Sequence, residues 1–139
     1  MTLNTDHLAR CIATLEQSLT LLNKSKINSI DYEIFRNAVV KGFELTLETS
    51  GTLLKKALKP YFANPKEVDQ LIFKDIFRQA GKHGLISVKQ TTHWFKYRDN
   101  RNNTAHDYGV GFAEETLRLL PSFIKDATAL KDTLDHAKT

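Results

Sequence analysis

The side chains best suited to chemistry lie in one stretch, Arg-Asp-Asn-Arg-Asn-Asn-Thr-Ala-His-Asp-Tyr, at positions 98–108. Arg101 offers a planar, permanently charged fork of donors, and His106 offers an imidazole that titrates near neutral pH. Tyr108 follows two residues after His106. Side chains of these types can hold an anion and move a proton, so the stretch is the candidate site.

The spacing of these residues predicts a break in the backbone. In one regular helix, the five-residue step from Arg101 to His106 would place them about 140° apart. Residues 102–104, Asn-Asn-Thr, compete with a helix by bonding to nearby backbone, so we expect the helix to break there. In an extended segment beyond it, His106 and Tyr108 point to one side and can share a cleft with Arg101. The alternative is that Arg101 satisfies a helix C-terminus, with His106 and Tyr108 ordinary loop residues.

Other kinds of site find no support in the sequence. It contains no glycine-rich phosphate loop, no nucleophile elbow and no His-Glu-x-x-His pair, so we expect chemistry without a metal or cofactor. The single cysteine, Cys11, cannot form an intramolecular disulfide, and it is expected to be a small half-buried residue. The remaining histidines are expected to be solvated: His7, His83, His93 and His136.

Length and composition indicate one globular domain over residues 1–139, with 41% hydrophobic and 26% charged side chains. The apolar runs are far shorter than the roughly 20 residues that cross a bilayer, and the polar N-terminus lacks a signal-peptide core. We therefore expect a soluble cytoplasmic protein without membrane contact. The net charge of +4 permits nucleic-acid binding, but acids are mixed with the cations along most of the chain.

Apolar periodicity predicts an all-α, up-and-down bundle of about five helices and no strand. The first helix follows Asn4 or Thr5, and the second runs from Asp31 to Leu58. A third helix is predicted to start at residues 64–67 (Asn-Pro-Lys-Glu) and to end by Gly81 and Gly84. A fourth helix is predicted to follow a cap at Ser87, and a fifth to start near Phe112, with a kink or a split at Pro121.

The motif and the helix order resemble one known family. The string from Arg101 to Tyr108 is similar to the Arg-x4-6-His motif of the HEPN superfamily, in the Arg-x4-His-x-Tyr form of HepT-type proteins. Residues 35–48 and 54–58 resemble the second helix of the nucleotidyltransferase substrate-binding proteins, and the final helix with Pro121 resembles theirs. The likeness covers most of residues 5–135. It departs at Gly51, where related second helices more often carry a large apolar side chain, which predicts a pocket, looser packing or a changed partner surface.

This resemblance implies a homodimer encoded beside a minimal nucleotidyltransferase, the MNT protein. One implied function is a metal-independent ribonuclease toxin, and the other is a non-catalytic subunit that presents substrate to the nucleotidyltransferase. A helical interaction protein with a relic motif is a third interpretation. In HepT-type pairs the MNT partner attaches AMP to the motif tyrosine, which corresponds here to Tyr108.

The resemblance also assigns roles in the ribonuclease. Arg101 is expected to hold the scissile phosphate while His106 moves a proton to or from the 2′-hydroxyl or the leaving oxygen. Asn102 is expected to orient the phosphate or the imidazole. Lys96 and Arg98 are candidate contacts to the RNA backbone, although solvated surface charge is the better explanation for either one alone.

Overall fold

Five α-helices build the part of the chain that the structure, a computed structural model, describes, namely residues 3–104 and 110–136. They are α1 (Asp6–Lys24), α2 (Ile30–Leu58), α3 (Phe73–Lys82), α4 (Val88–Thr104) and α5 (Val110–His136). Two short 3-10 helices, Lys59–Tyr61 and Pro65–Gln70, connect α2 to α3, and these described residues contain no strand. The all-α prediction is confirmed, as is the count of about five helices. No helix in the same ranges is long and apolar enough to span a membrane.

The longest helix, α2, lies at the centre and contacts each of the other four. It begins at Ile30, one residue before the predicted Asp31, and the Ser29 hydroxyl caps it by accepting a hydrogen bond from Tyr32 N at 3.1 Å. It stays helical through its glycines and threonines to Leu58. Its neighbour α1 runs antiparallel to it, and Gly42 permits a close approach to Leu15, whose Cδ1 would lie 3.1 Å from an added Cβ.

Aromatic side chains from α2, α3, α4 and α5 meet in the core. Trp94 stacks on Phe77 with ring centroids 4.7 Å apart, and Phe123 packs edge-on against Trp94 at 5.7 Å. Phe43 reaches the same cluster from α2, 4.7 Å from Phe123. Tyr97 completes it, 5.0 Å from Phe123. The hydrophobic core therefore ties α4, which carries Arg101, to three neighbouring helices.

The third α-helix does not begin at residues 64–67, where the sequence predicted its start. The Asn64 side chain does accept from Lys66 N at 3.1 Å, but this cap opens the 3-10 helix, and residues 71–72 are extended before α3 begins at Phe73. A continuous helix would place Val68 and Phe73 about 140° apart. The extended residues let Val68 enter the core and Phe73 pack on α2, while Ile72 stays 69% exposed.

The end of α3 agrees with the sequence. Gly84 has a φ of +78°, and Leu85 N donates to Ala80 O at 2.9 Å while Gly84 N donates to Gly81 O at 3.2 Å. These two bonds form a Schellman motif, which needs a left-handed residue and therefore favours glycine.

The last helix, α5, begins at Val110, slightly before the predicted position near Phe112, and it continues through Pro121 to His136. The expected split at Pro121 is therefore wrong, and a kink there stays a prediction. Thr5 donates to the Asp135 carboxylate, which ties the start of α1 to the end of α5. The two helices are thus antiparallel to each other, whereas strict up-and-down alternation of five helices would make the first and the last parallel.

Candidate active site at the end of helix α4

Helix α4 begins at a reciprocal cap and carries Arg101 in its last turn. Ser87 Oγ accepts from Gln90 N at 3.0 Å, and Gln90 Oε1 accepts from Ser87 N at 2.8 Å. The helix then runs to Thr104, so residues 102–104 are still helical, and the predicted break between Arg101 and His106 stays a prediction. The predicted site residues His106 and Tyr108 lie outside the described residues, and so does the point at which the backbone was expected to turn.

One face of α4 is bonded to α5 through buried polar groups. His93 Nδ1 lies 2.9 Å from Asp126 Oδ2, and the Tyr97 hydroxyl donates to the same carboxylate. Ser122 Oγ lies 2.6 Å from the Tyr97 hydroxyl oxygen. Burial, followed by the hydrogen bond to Asp126, raises the pKa of Tyr97 well above its ordinary value. His93, expected to be solvated, is instead part of this network.

A third link lies closer to Arg101. Asn100 is buried and donates from Nδ2 to Thr116 Oγ1 on α5 at 2.9 Å. Because consecutive helical residues are about 100° apart, Arg101 points away from α5 and toward α2.

On that side, Glu48 of α2 holds two arginines. Its Oε1 lies 2.8 Å from Arg98 Nη1, and it lies 3.6 Å from Arg101 Nε. The Arg101 Nε is buried and makes no hydrogen bond within the described structure. Arg101 is therefore held by charge without a committed hydrogen bond at that nitrogen, and its side chain remains 32% exposed. With two cations on one carboxylate, the group has an excess positive charge.

The Phe73 ring packs against the guanidinium of Arg98. The Arg98 Cζ lies 4.7 Å from the Phe73 ring centroid, within the range of a cation–π contact. The Phe73 ring in turn lies on Gly51, where an added Cβ would approach its Cε2 to 2.8 Å. The large side chain missing at Gly51 is therefore replaced by a ring from α3. Beside this contact remains a cavity of about 240 Å³, which Arg98 and Lys55 also line.

A second cavity, of about 450 Å³, lies on the other side of Glu48 between α1 and α2. We call it the α1–α2 cavity, and its walls include His7, Glu48, Thr49, Thr52, Leu53 and Lys56. Cys11 lies behind it, with Sγ 3.7 Å from His7 Nε2 and 3.9 Å from Thr49 Oγ1.

The remaining predicted residues are not gathered in the same place. Asn102 and Lys96 are both exposed. Lys96 is five helical positions from Arg101, which places it about 140° around α4.

Sequence reasoning missed Glu48, although it lies in the helix-two segment that carries the resemblance. Across the described ranges, no group of three His, Cys, Asp or Glu side chains is arranged to hold a metal ion.

Comparisons with known proteins agree with this architecture. "Probable ribonuclease HepT" of Haemophilus influenzae is 27% identical over 136 residues, which cover 95% of this chain and 92% of that protein. A solved Haemophilus influenzae structure, described as the fold of a substrate binding domain of a nucleotidyltransferase, superposes with a TM-score of 0.80. It is 26% identical and the match covers 94% of this chain and 98% of that one.

A chain of a toxin–antitoxin crystallised with AMP-PNP has the same fold, with a TM-score of 0.67, 14% identity, and coverage of 95% of this chain and 99% of that one. Residues 3–136 match the family described as "nucleotidyltransferase substrate binding protein like". With nearly the whole chain matched, this protein belongs to that family.

Proposed function

We propose that this protein is a HepT-like toxin that cleaves RNA without a metal ion, and that a nucleotidyltransferase antitoxin controls it. The observation that carries the proposal is the position of Arg101. It stands in the last turn of α4 beside Arg98, with its Nε uncommitted, at the start of the segment that contains His106. The similarity to a protein named as a probable ribonuclease supports the same function.

In this proposal Arg101 binds the scissile phosphate, and Glu48 fixes the direction from which its guanidinium approaches. A permanently charged, forked donor suits a phosphate whose charge grows in the transition state. His106 moves the proton that the 2′-hydroxyl loses or the leaving oxygen gains, and Asn102 orients the phosphate or the imidazole. Because the nucleophile is the 2′-hydroxyl, the substrate is RNA. Arg98 adds positive charge beside the phosphate, and Lys96 contacts the backbone farther away.

The test is RNA cleavage by purified wild-type protein and by His106→Ala, both in the presence of a chelator. The expected result is cleavage by the wild type and a loss of at least about 100-fold in the variant, the range of general acid–base catalysis. His83→Ala, a histidine outside the motif, is the matched control and should cleave normally. Equal rates for wild type and His106→Ala would exclude the proposed chemistry.

Tyr108 is the proposed regulatory position. An AMP group on its hydroxyl would bring a negative phosphate toward Arg101, where it would compete with RNA. Incubation with the nucleotidyltransferase and ATP should add the mass of one AMP to the wild type and none to Tyr108→Phe. An unchanged mass shift in the variant would refute the assignment. We also propose a homodimer in which two motif copies line one cleft, and analytical ultracentrifugation should give twice the monomer mass.

The second candidate function is a non-catalytic subunit that presents substrate to a nucleotidyltransferase in the cytoplasm. Family membership and the solved relative described as a substrate binding domain favour it specifically. It predicts a stable complex with the nucleotidyltransferase and no cleavage of RNA by either wild type or His106→Ala. Failure of the two proteins to co-purify would count against it.

A further inference from the structure

The α1–α2 cavity lies next to Arg101 because both share Glu48. The carboxylate that holds Arg101 is also part of the cavity wall. Along α2, Lys56 stands eight residues beyond Glu48, which is about 12 Å at the rise of an α-helix. A ligand that enters the cavity would therefore lie along α2, immediately beside a phosphate bound at Arg101.

Charge in the α1–α2 cavity favours an anion. Lys56 and His7 line it, and neither has a carboxylate partner within the described structure. By contrast, the neighbouring Lys55 is paired with Asp69, with 3.9 Å between Nζ and Oδ1. Among the described residues of the wall, the one acid is Glu48, which two arginines already neutralise. The cavity therefore presents the unpaired positive charge of Lys56 at the end away from Arg101, and His7 adds a ring nitrogen that can form a hydrogen bond.

The rest of the wall suits the uncharged part of a nucleotide. Leu53 forms an apolar floor, being only 7% exposed, and Thr49 and Thr52 provide hydroxyl groups. An apolar surface can accept a base and a nearby cation can meet the backbone, so the cavity suits a single-stranded nucleic acid. The volume of about 450 Å³ lies within the range of small-ligand sites.

We propose that the α1–α2 cavity binds the nucleotide next to the scissile phosphate in a single-stranded RNA. This inference rests on the proposed ribonuclease function. Lys56 contacts the backbone phosphate on the far side of that nucleotide, His7 donates to its sugar or base, and the base lies over Leu53. The substrate is single-stranded because a base can enter the cavity only when it is unpaired.

Binding of RNA, measured separately from its cleavage, tests the proposal. The probe is a short, fluorescently labelled single-stranded RNA with 2′-O-methyl groups, which removes the nucleophile, and the readout is anisotropy at several salt concentrations. One lost phosphate contact lowers the slope of log affinity against log salt by about 0.7. Lys56→Ala should therefore raise Kd by about 8-fold at 50 mM salt and by about 3-fold at 200 mM. The change in KM for a cleavable RNA should follow, with kcat unaffected.

Helix α1 supplies matched controls. Lys24 is exposed in the last turn of α1, as Lys56 is in the last turn of α2, and it lies about 26 Å along α1 from His7 in the cavity wall, at 1.5 Å per residue. Thr20 and Thr52 are both exposed, and each donates its hydroxyl to the carbonyl four residues earlier at 3.0 Å. Lys24→Ala should bind RNA like the wild type. Thr52→Glu should weaken binding more than Thr20→Glu, because it places a carboxylate in the cavity.

The outcomes separate this proposal from the proposed function. If the wild type binds and cleaves RNA while Lys56→Ala and Lys24→Ala have the same Kd, the cavity is not a nucleotide site and the ribonuclease function stands. A loss that is as large for a duplex RNA as for the single strand would also overturn it, because paired bases cannot enter. The ribonuclease function fails on its own if His106→Ala cleaves as fast as the wild type. Thermal unfolding of each variant verifies that the fold is intact.

Discussion

Replacement of Gly51 by alanine should destabilise the protein, although alanine is the better helix former. In a helix interior, the change from glycine to alanine usually stabilises by about 1 kcal/mol. At Gly51, however, the new Cβ would lie 2.8 Å from Phe73 Cε2 and 3.1 Å from Cδ2. The ring carries Arg98 on its face, so a displaced ring also disturbs that contact. Overpacking of this kind costs about 1–3 kcal/mol, and we expect the free energy of unfolding to fall by about 1 kcal/mol.

Gly42 is the matched control in the same helix. There the nearest atom to an added Cβ is Leu15 Cδ1 at 3.1 Å, and the next is at 3.6 Å. A terminal methyl group can move by a few tenths of an ångström at low cost, whereas an aromatic ring moves as a unit. Gly42→Ala should therefore keep most of its propensity gain and stabilise the protein by roughly 0.5 kcal/mol.

A double-mutant cycle with Phe73→Leu isolates the contact. With the ring removed, Gly51→Ala should become stabilising by roughly 0.5–1 kcal/mol, so its effect changes sign between the two backgrounds. Urea denaturation of the four proteins gives the free energies, provided that the m-values agree. If Gly51→Ala raises the free energy of unfolding by the same amount with and without the ring, the packing of Phe73 on Gly51 is not what the structure indicates.

Three further predictions concern the helices that surround Arg101. Glu48→Gln keeps the shape but removes the charge that holds both arginines. Because exposed ion pairs contribute little, unfolding should change by less than about 1 kcal/mol, while kcat for RNA cleavage falls by at least about 10-fold. Tyr97→Phe should lower the free energy of unfolding by about 1–2 kcal/mol at neutral pH, since the Asp126 carboxylate loses a buried donor. The raised pKa of Tyr97 means that the unfolded chain ionises first as pH rises. The wild type should therefore lose stability relative to Tyr97→Phe above about pH 10, by up to about 1.4 kcal/mol per pH unit. Thr116→Val leaves Asn100 without this acceptor, and urea denaturation should show a loss of about 1–2 kcal/mol; an unchanged midpoint would contradict the role of that bond.

The features that the sequence predicted well depend on short-range chemistry. The cap at Ser87 and the glycine end of α3 at Gly84 each need only residues within a few positions of one another. Apolar periodicity likewise gave the number of helices and the all-α class, since each buried face repeats within its own helix. The resemblance placed the chain in a family that the match over residues 3–136 now shows.

Long-range contacts explain where the predictions failed. The start of α3 moved to Phe73 because that ring packs on Gly51, a residue 22 positions earlier in the chain. Glu48 was not assigned to the site because its partner Arg98 is 50 positions away. His93 was expected to be solvated because its partner Asp126 lies on another helix. In each case the local pattern was compatible with several partners, and only the packing of whole helices selects one.

Contacts with two other helices explain why α4 continues beyond Arg101. Asparagine and threonine at 102–104 have a weak local tendency to disrupt a helix, and tertiary contacts of the preceding turn can outweigh it. Here Asn100 is bonded to Thr116 on one side, and Arg98 is paired with Glu48 on the other. A helix anchored to α5 and α2 one turn before its end keeps its geometry through the next residues. The Asn100–Thr116 hydrogen bond and the Arg98–Glu48 ion pair therefore determine the direction in which the Arg101 side chain points. The local sequence preferences of residues 102–104 have little influence on the position of its guanidinium.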